Sequence, residues 1–291
     1  MFQLKKILLP VDFSERCQEA ILYALPSLAK QFGCEIIVCH VLTPFLEFGS
    51  PELGISLSGE YMVERRKEAN KRLEAFLAEE LREFKVTRVL LEGDPAQNIV
   101  EQAQSTNCDL ILMPTHGYGP FRRMLLGSVT SKVLHDAECP VWTGAHFQPK
   151  SPTAALQLGR ILCAIDLGPH SKPTLDWASR LAAEFNAKLT LIHVITALNP
   201  RTEDYYFAPE WRKYLIEQAR TDLRTLQQTA GTKLEVELEV GDVAQAVCAA
   251  AKLNQADLVV VGRGSIVSTL GRFRTHTYTI IRDSPCPVVS V

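Results

Sequence analysis

The chain has 291 residues, room for two domains of ordinary size. Its 31 Lys and Arg nearly balance 33 Asp and Glu, leaving a formal net charge of −2 and a pI near 6.4. That balance excludes a protein built mainly to hold the nucleic-acid backbone, which needs a concentrated basic surface. A hydrophobic content of 46% with 22% charged residues is the composition of a packed core, and no apolar run approaches the ~18 residues of a membrane span. Neither nucleic acid nor membrane is therefore an expected partner.

The opening apolar run is short and ends at Asp12, unlike a signal peptide. The eight cysteines contain no C-x-x-C pair and sit mostly in apolar segments. They read as buried thiols in a reducing compartment, so a cytoplasmic location is expected.

Lys6 to Val11 predicts a buried strand ending in Asp12. Ser14 then reads as an N-cap, followed by an apolar stripe from Cys17 to Phe32 at helical spacing, with Gly33 as its stop and Pro26 as an expected kink. Strands follow at Glu35 to Val41, Val86 to Leu91, Leu110 to Met113 and Val141-Trp142. Helices are predicted at Arg65 to Phe84, Ala96 to Ser105 and Val129 to Ala137. The same order then recurs: strands at Ile161–Ile165, Lys188–Val194, Glu235–Val240, Leu258–Val261 and Val288–Val291, with helices at Pro173–Phe185, Tyr206–Thr229 and Ala244–Lys252.

The recurrence is visible in the residues themselves. Leu8-Leu9-Pro10-Val11-Asp12 matches Leu162-Cys163-Ala164-Ile165-Asp166. His40-Val41 matches His193-Val194, Gly93-Asp94 matches Gly241-Asp242, Asp109-Leu110-Ile111 matches Asp257-Leu258-Val259, and Cys139-Pro140-Val141 matches Cys286-Pro287-Val288. Five matches in one order mark a tandem duplication. The copies are placed at residues 1–147 and 158–291, joined between Gln148 and Gln157 where Pro149, Ser151 and Pro152 break the periodicity. Apolar strands alternating with helices predict, in each copy, a doubly wound, mostly parallel five-stranded α/β domain. Such sheets bind ligands outside the carboxyl ends of their strands, where Asp12, Val41 and Pro114, and again Asp166, Val194 and Gly262, fall.

In copy one, Met113-Pro114-Thr115-His116-Gly117 is followed after nine residues by Gly127-Ser128-Val129-Thr130. Glycine admits close approach of backbone to a phosphate, and a helix N-terminus offers unpaired N–H groups to an anion. Those residues alone fit an ordinary βα loop with a serine cap equally well. The segment is neither a Walker A loop nor G-x-G-x-x-G. His40 and His193 read as structural strand-end residues, while Arg122 and Arg123 fit either an anion-steering or a solvated role.

These residues resemble the universal stress protein family, whose α/β domains belong to the adenine nucleotide-binding superfamily (adenine nucleotide alpha-hydrolase-like). Its phosphate motif, Gly, two residues, Gly, nine residues, Gly and Ser or Thr, is met by Gly117, Gly127 and Ser128, with Pro114 in place of the first glycine. The resemblance extends to Pro10-Val11-Asp12, Val41 and Cys139-Pro140-Val141, and covers nearly the whole chain twice. It implies that Asp12 lies beside adenosine, that the Val41 backbone reads adenine, and that Gly117, Gly127 and Ser128 hold phosphates. Val129 and Thr130 would add helix amides, and Pro10, Met113, Pro114 and His116 would complete the surroundings. Pro114 has no N–H to contribute. The implied ligand is ATP or another adenine nucleotide, with Mg2+ as an optional companion.

Copy two keeps Asp166, Val194 and Gly262, but Ser265 replaces the second glycine. Aligning on the Asp-Leu match puts Thr275-His276 opposite Gly127-Ser128. Aligning on the Cys-Pro-Val match puts Arg274-Thr275 there, and is preferred because it keeps a hydroxyl at the cap. Copy two is thus expected to be a degenerate site, with the side chains of Arg263, Arg272 and Arg274 as the route by which it would still hold an anion. The expected function is a stress-response nucleotide-binding protein, a sensor or regulator with at most slow ATP hydrolysis. An ATPase or adenylate-transferring enzyme, with Asp12 or His116 as base, and a ligand-free interaction module are the alternatives. The apolar strands at Val141-Trp142-Thr143 and Val288-Val289-Ser290-Val291 should pair with each other, making a pseudo-dimer within one chain. The resemblance also implies a homodimer of whole chains.

Overall fold

The structure, a computed structural model, describes residues 2–43, 59–115, 126–144, 156–196, 209–263 and 272–291. Copy one runs β1 (Lys6–Pro10), α1 (Glu15–Phe32), β2 (Glu35–Leu42), α2 (Gly59–Ala75), β3 (Val86–Glu92), α3 (Pro95–Ser105), β4 (Leu110–Pro114), α4 (Ser128–Asp136) and β5 (Val141–Gly144). Copy two runs β6 (Arg160–Ala164), α5 (Ser171–Phe185), β7 (Lys188–Ile195), α6 (Pro209–Ala230), β8 (Glu235–Val240), α7 (Val243–Leu253), β9 (Leu258–Val261), α8 (Arg272–Asp283) and β10 (Val288–Ser290).

Each copy is a parallel five-stranded sheet, in the orders β3-β2-β1-β4-β5 and β8-β7-β6-β9-β10. The strand order reverses between β1 and β4, and between β6 and β9, which creates the switch-point crevice of doubly wound folds. The expected pairing of the two copies is present. β5 and β10 run antiparallel, with Trp142 opposite Val289, and join the halves into one ten-stranded sheet.

Successive strand residues point to opposite faces, which are both covered. Ile7 and Leu9 pack with Leu25 and Leu28 of α1 and Leu73 of α2, while Leu8 packs with Ile99 of α3 and Val133 of α4. The strands begin alike in both copies. Asp109 Oδ2 accepts from the amides of Lys5 and Lys6, and Asp257 Oδ2 from those of Gly159 and Arg160. Gly33 closes α1 in the left-handed conformation (φ 62°) and donates its N–H to Ala29. The helix is continuous through Pro26.

Two expectations need correction. The helix predicted over Arg65 to Phe84 is α2, which starts at Gly59 and stops at Ala75. Leu77 is left-handed (φ 48°), and turns then bury Phe76, Leu77 and Leu81 without helical regularity. Arg88 donates to the carbonyls of Leu73 and Phe76, closing the helix end. Second, α8 begins at Arg272, earlier than the start expected with Thr275 as its cap. The expected joint between the copies lies partly outside the described residues, which resume at Leu156. All eight cysteines are unpaired, six of them buried. Among the described residues no helix is long and apolar enough to cross a membrane.

Candidate functional site at the strand ends

After β1 the chain turns through Asp12 and Phe13. Phe13 is a non-glycine residue at φ 63°, and its counterpart in copy two, Leu167, stands at φ 62°. Such a conformation costs about 1–3 kcal/mol and persists only where neighbours enforce it. The adjacent carboxylates do so. Asp12 Oδ1 accepts from the Ser14 amide at 3.0 Å and its hydroxyl at 2.7 Å. Asp166 Oδ1 accepts from the Gly168 amide and the Ser171 hydroxyl, each at 2.8 Å.

The end of β2 gives the second wall. Cys39 accepts from the Val11 amide across to β1. Backbone groups of alternate strand residues point the same way, so Val41, two residues on, directs its N–H and C=O to the same side, past the last β1 partner at Pro10. Leu42 faces the other way and accepts from Gly93. In copy two, Ile192 accepts from Ile165 and Ile195 accepts from Gly241, so Val194 is left facing outward in the same manner.

His40 sits between these walls. Its Nδ1–H donates to the Val11 carbonyl at 2.7 Å, and its ring lies 4.3 Å from that of Phe13, on which the Arg72 guanidinium stacks at 4.5 Å. Burial pushes the His40 pKa down; the Val11 hydrogen bond opposes this and the Arg72 charge adds to it. Between the ordinary imidazole range and that lower folded value, the unfolded chain holds a proton that the folded chain lacks. Stability should therefore fall as pH drops below about 6.5. His40→Gln should flatten part of that loss in urea midpoints taken from about pH 8 down to about pH 5; an unchanged profile would show that His40 does not contribute. His193 makes the matching bond to Ile165 at 2.8 Å, so both histidines are structural, as expected from their strand-end positions.

The third wall is α4. Its N-cap is Gly127, which supplies no side-chain cap, whereas α1, α3 and α7 are capped by Ser14, Asp94 and Asp242. Gly127 gives its own amide to Thr115 at 3.0 Å. The first-turn amides of Ser128, Val129 and Thr130 have no carbonyl one turn earlier within the helix. The Thr130 hydroxyl is committed to the Pro114 carbonyl at 3.2 Å, so this residue has only its amide to offer.

The structure brings Pro10, Asp12, Val41, Met113, Pro114, Gly127, Ser128, Val129 and Thr130 together around one cleft of about 310 Å³. His116 and Gly117 lie outside the described residues, as do Arg122, Arg123 and Ser265. His40, Thr43, Pro95 and Ile99 also line the cleft. Pro95 and Ile99 escaped the sequence reading, although the repeated Gly93-Asp94 pair marks where α3 enters.

Copy two has a cleft of about 230 Å³ lined by Asp166, Val194, Gly262, His276 and Thr277 among others. The Thr277 hydroxyl reaches the Gly262 carbonyl as Thr130 reaches Pro114. That correspondence places Arg274-Thr275 opposite Gly127-Ser128, as preferred above. However, α8 already begins at Arg272, so Thr275 lies inside the first turn and is not its cap. The side chains of Arg274 and Thr275 lie outside the described residues. His276 stands where copy one has Val129. Among the described residues no cluster of three or more His, Cys, Asp or Glu is arranged to hold a metal.

The family model described as the universal stress protein family matches residues 3–143 and again 158–291. A universal stress protein of Methanocaldococcus jannaschii is 39% identical over 140 residues, 47% of this chain and 79% of that protein, the length of one copy. Among solved structures, a universal stress protein from Archaeoglobus fulgidus superposes over 99% of this chain and 96% of its own, with a TM-score of 0.71 at 24% identity. A putative universal stress protein from Pseudomonas aeruginosa covers 99% of this chain and 93% of its own, with a TM-score of 0.64 at 18% identity. These two structural likenesses concern the fold. With both halves matched separately, the chain belongs to the universal stress protein family, as two tandem copies of its domain.

Proposed function

We propose that the copy-one cleft binds ATP, or another adenine nucleotide, and that the protein acts as a cytoplasmic stress-response sensor or regulator. One observation carries this reading: the outward backbone edge of Val41 and the uncapped N-terminus of α4 meet at the same switch-point cleft. The edge suits a flat, hydrogen-bonding base. The helix amides suit phosphates, through direct hydrogen bonds of about 1.5–3 kcal/mol each to a charged group and a smaller dipole contribution of about 0.3–1 kcal/mol. Asp12 would stand on the adenosine side, and Gly117 and His116 belong to the intervening loop. Mg2+ would accompany the phosphates.

The cleft carboxylate of Asp12 already holds the β1–α1 turn through two hydrogen bonds. A residue so engaged positions its surroundings, which favours binding with conformational readout over rapid turnover. Copy two is read as the weaker site: its cleft is smaller, and α8 puts Arg274 and Thr275, the counterparts of Gly127 and Ser128, inside its first turn. Unpaired thiols throughout the chain suit a reducing cytoplasm.

Calorimetric titration of the full chain with Mg-ATP should find close to one tight site per chain. Asp12→Ala should weaken that site more than Asp166→Ala does. No binding at millimolar ATP would end the nucleotide reading, and two equal sites would end the ranking of the copies.

A further inference from the structure

The α4 helix belongs to copy one, yet copy two holds it. Arg263, the residue after Gly262 at the end of β9, reaches across the β5–β10 junction. Its Nη1 donates to the Ala137 carbonyl, and its Nη2 to the carbonyls of Cys139 at 2.7 Å and Glu138 at 3.4 Å. Ala137 is the C-cap of α4, so these are the carbonyls with which the helix ends and the chain turns toward β5. A cation placed there satisfies unpaired acceptors and complements the negative end of the helix. The main chain of Arg263 is itself fixed, because its amide donates to Val291 at 2.9 Å and Val291 donates to Val261 at 2.9 Å. A second contact grips the middle of the helix, where the Tyr278 hydroxyl of α8 donates to the Ser131 carbonyl at 3.1 Å.

The end of α8 has its own closure within copy two: Ser284 donates its amide to Ile280 and its hydroxyl to Cys286, each at 2.8 Å. The copy-one position corresponding to Arg263 is Thr115, whose carbonyl accepts from Gly127 inside its own cleft. Copy two therefore clamps α4 at its C-terminal end and at its middle.

A nine-residue helix moves largely as one piece. Fixing its C-terminal end fixes where its N-terminal amides stand. We infer that Arg263 is a positioning residue for the copy-one cradle: the second copy completes the phosphate-facing wall of the first, which rests on the reading of that cleft as a nucleotide site. This gives the degenerate copy a role independent of any ligand of its own, and it explains why the two clefts need not be equal for both domains to matter. The wall formed by β1 and β2 is held within copy one, through Val11, Cys39 and His40. Loss of the clamp should therefore affect phosphate recognition and spare base recognition.

The test compares Mg-ATP and adenosine binding to full-length wild-type and Arg263→Ala chains. The expected result is an ATP Kd raised about three- to tenfold with the adenosine Kd unchanged. An unchanged ATP Kd, or equal weakening of both ligands as a general loss of structure would cause, overturns the inference. Should Arg263→Ala not fold, Arg263→Lys, which keeps the charge but not the forked donors, is expected to show the same selective loss. Amide exchange of the ligand-free chain separates this inference from the nucleotide reading. If the wild-type chain binds neither ligand, the nucleotide reading alone fails. Faster exchange in α4 than in α3 of the variant would still establish the clamp, and unchanged exchange would overturn it.

Discussion

Ser128→Asp should raise the ATP Kd of copy one by about two decades while leaving the fold at least as stable as before. Ser128 is an exposed residue that opens α4, and its hydroxyl is not needed there as a cap, since Gly127 occupies the N-cap position. An acidic side chain in a first helical turn contributes about 0.3–1 kcal/mol of stability through the macrodipole. The same carboxylate would stand against the phosphates, and like charges brought together in a binding site cost several kcal/mol. Because about 1.4 kcal/mol is one decade in affinity, two decades is a moderate expectation. The opposite signs of the two effects are what make the substitution informative. A variant that melts slightly higher, binds adenosine as before and loses ATP locates the phosphates at α4. Undiminished ATP binding would remove the phosphates from this helix. Thr275→Asp in copy two, at the corresponding position, should leave the tight site unchanged.

The parts of this site that were legible in the sequence are those that repeat or punctuate. Asp12 with Asp166, and Val41 with Val194, recur at strand ends, and Gly127-Ser128 opens a helix after a loop. Parallel strands buried on both faces announce themselves as apolar runs, so the mostly parallel α/β class followed from their alternation with helices. What escaped depends on geometry between distant segments. Nothing local in Val41 says that its backbone outruns β1; that follows from where Pro10 stops in the ladder. The end of α2 escaped because Phe76, Leu77 and Leu81 continue an apolar spacing that turns satisfy as well as a helix does. The start of α8 escaped because Phe273 is a single apolar residue among Arg272, Arg274 and Thr275. Arg263 reads in the sequence as an anion contact of copy two, but its guanidinium is committed to backbone carbonyls of copy one. Its function as a clamp exists only because β5 and β10 bring Ala137, Glu138 and Cys139 within reach.

That junction is also where a single substitution should cost most in stability. β5 and β10 meet over three residue pairs, and the net contribution of each backbone hydrogen bond is only about 0.5–1.5 kcal/mol. The ladder alone would be a weak joint between two domains. Trp142 changes this. It stands opposite Val289 on β10 and Leu112 on β4, is 1% exposed, and belongs to an apolar cluster that runs from Ile7 and Leu28 in copy one to Cys163 and Leu191 in copy two. A strand that reads as an edge in one copy is therefore central in the whole chain. Trp142→Ala should lower unfolding free energy by about 3–5 kcal/mol, as expected for truncating a buried aromatic residue, against a usual total of about 5–15 kcal/mol. Urea unfolding followed by far-ultraviolet circular dichroism reads this without relying on the indole signal being removed. The control is Trp211→Ala, because Trp211 is 48% exposed on α6 and should change stability by no more than about 0.5 kcal/mol. Weakening the seam should also uncouple the halves, so that one shared transition in the wild-type chain becomes two in the variant. A loss below about 1 kcal/mol, with the transition still single, would show that the two copies do not share a core through Trp142.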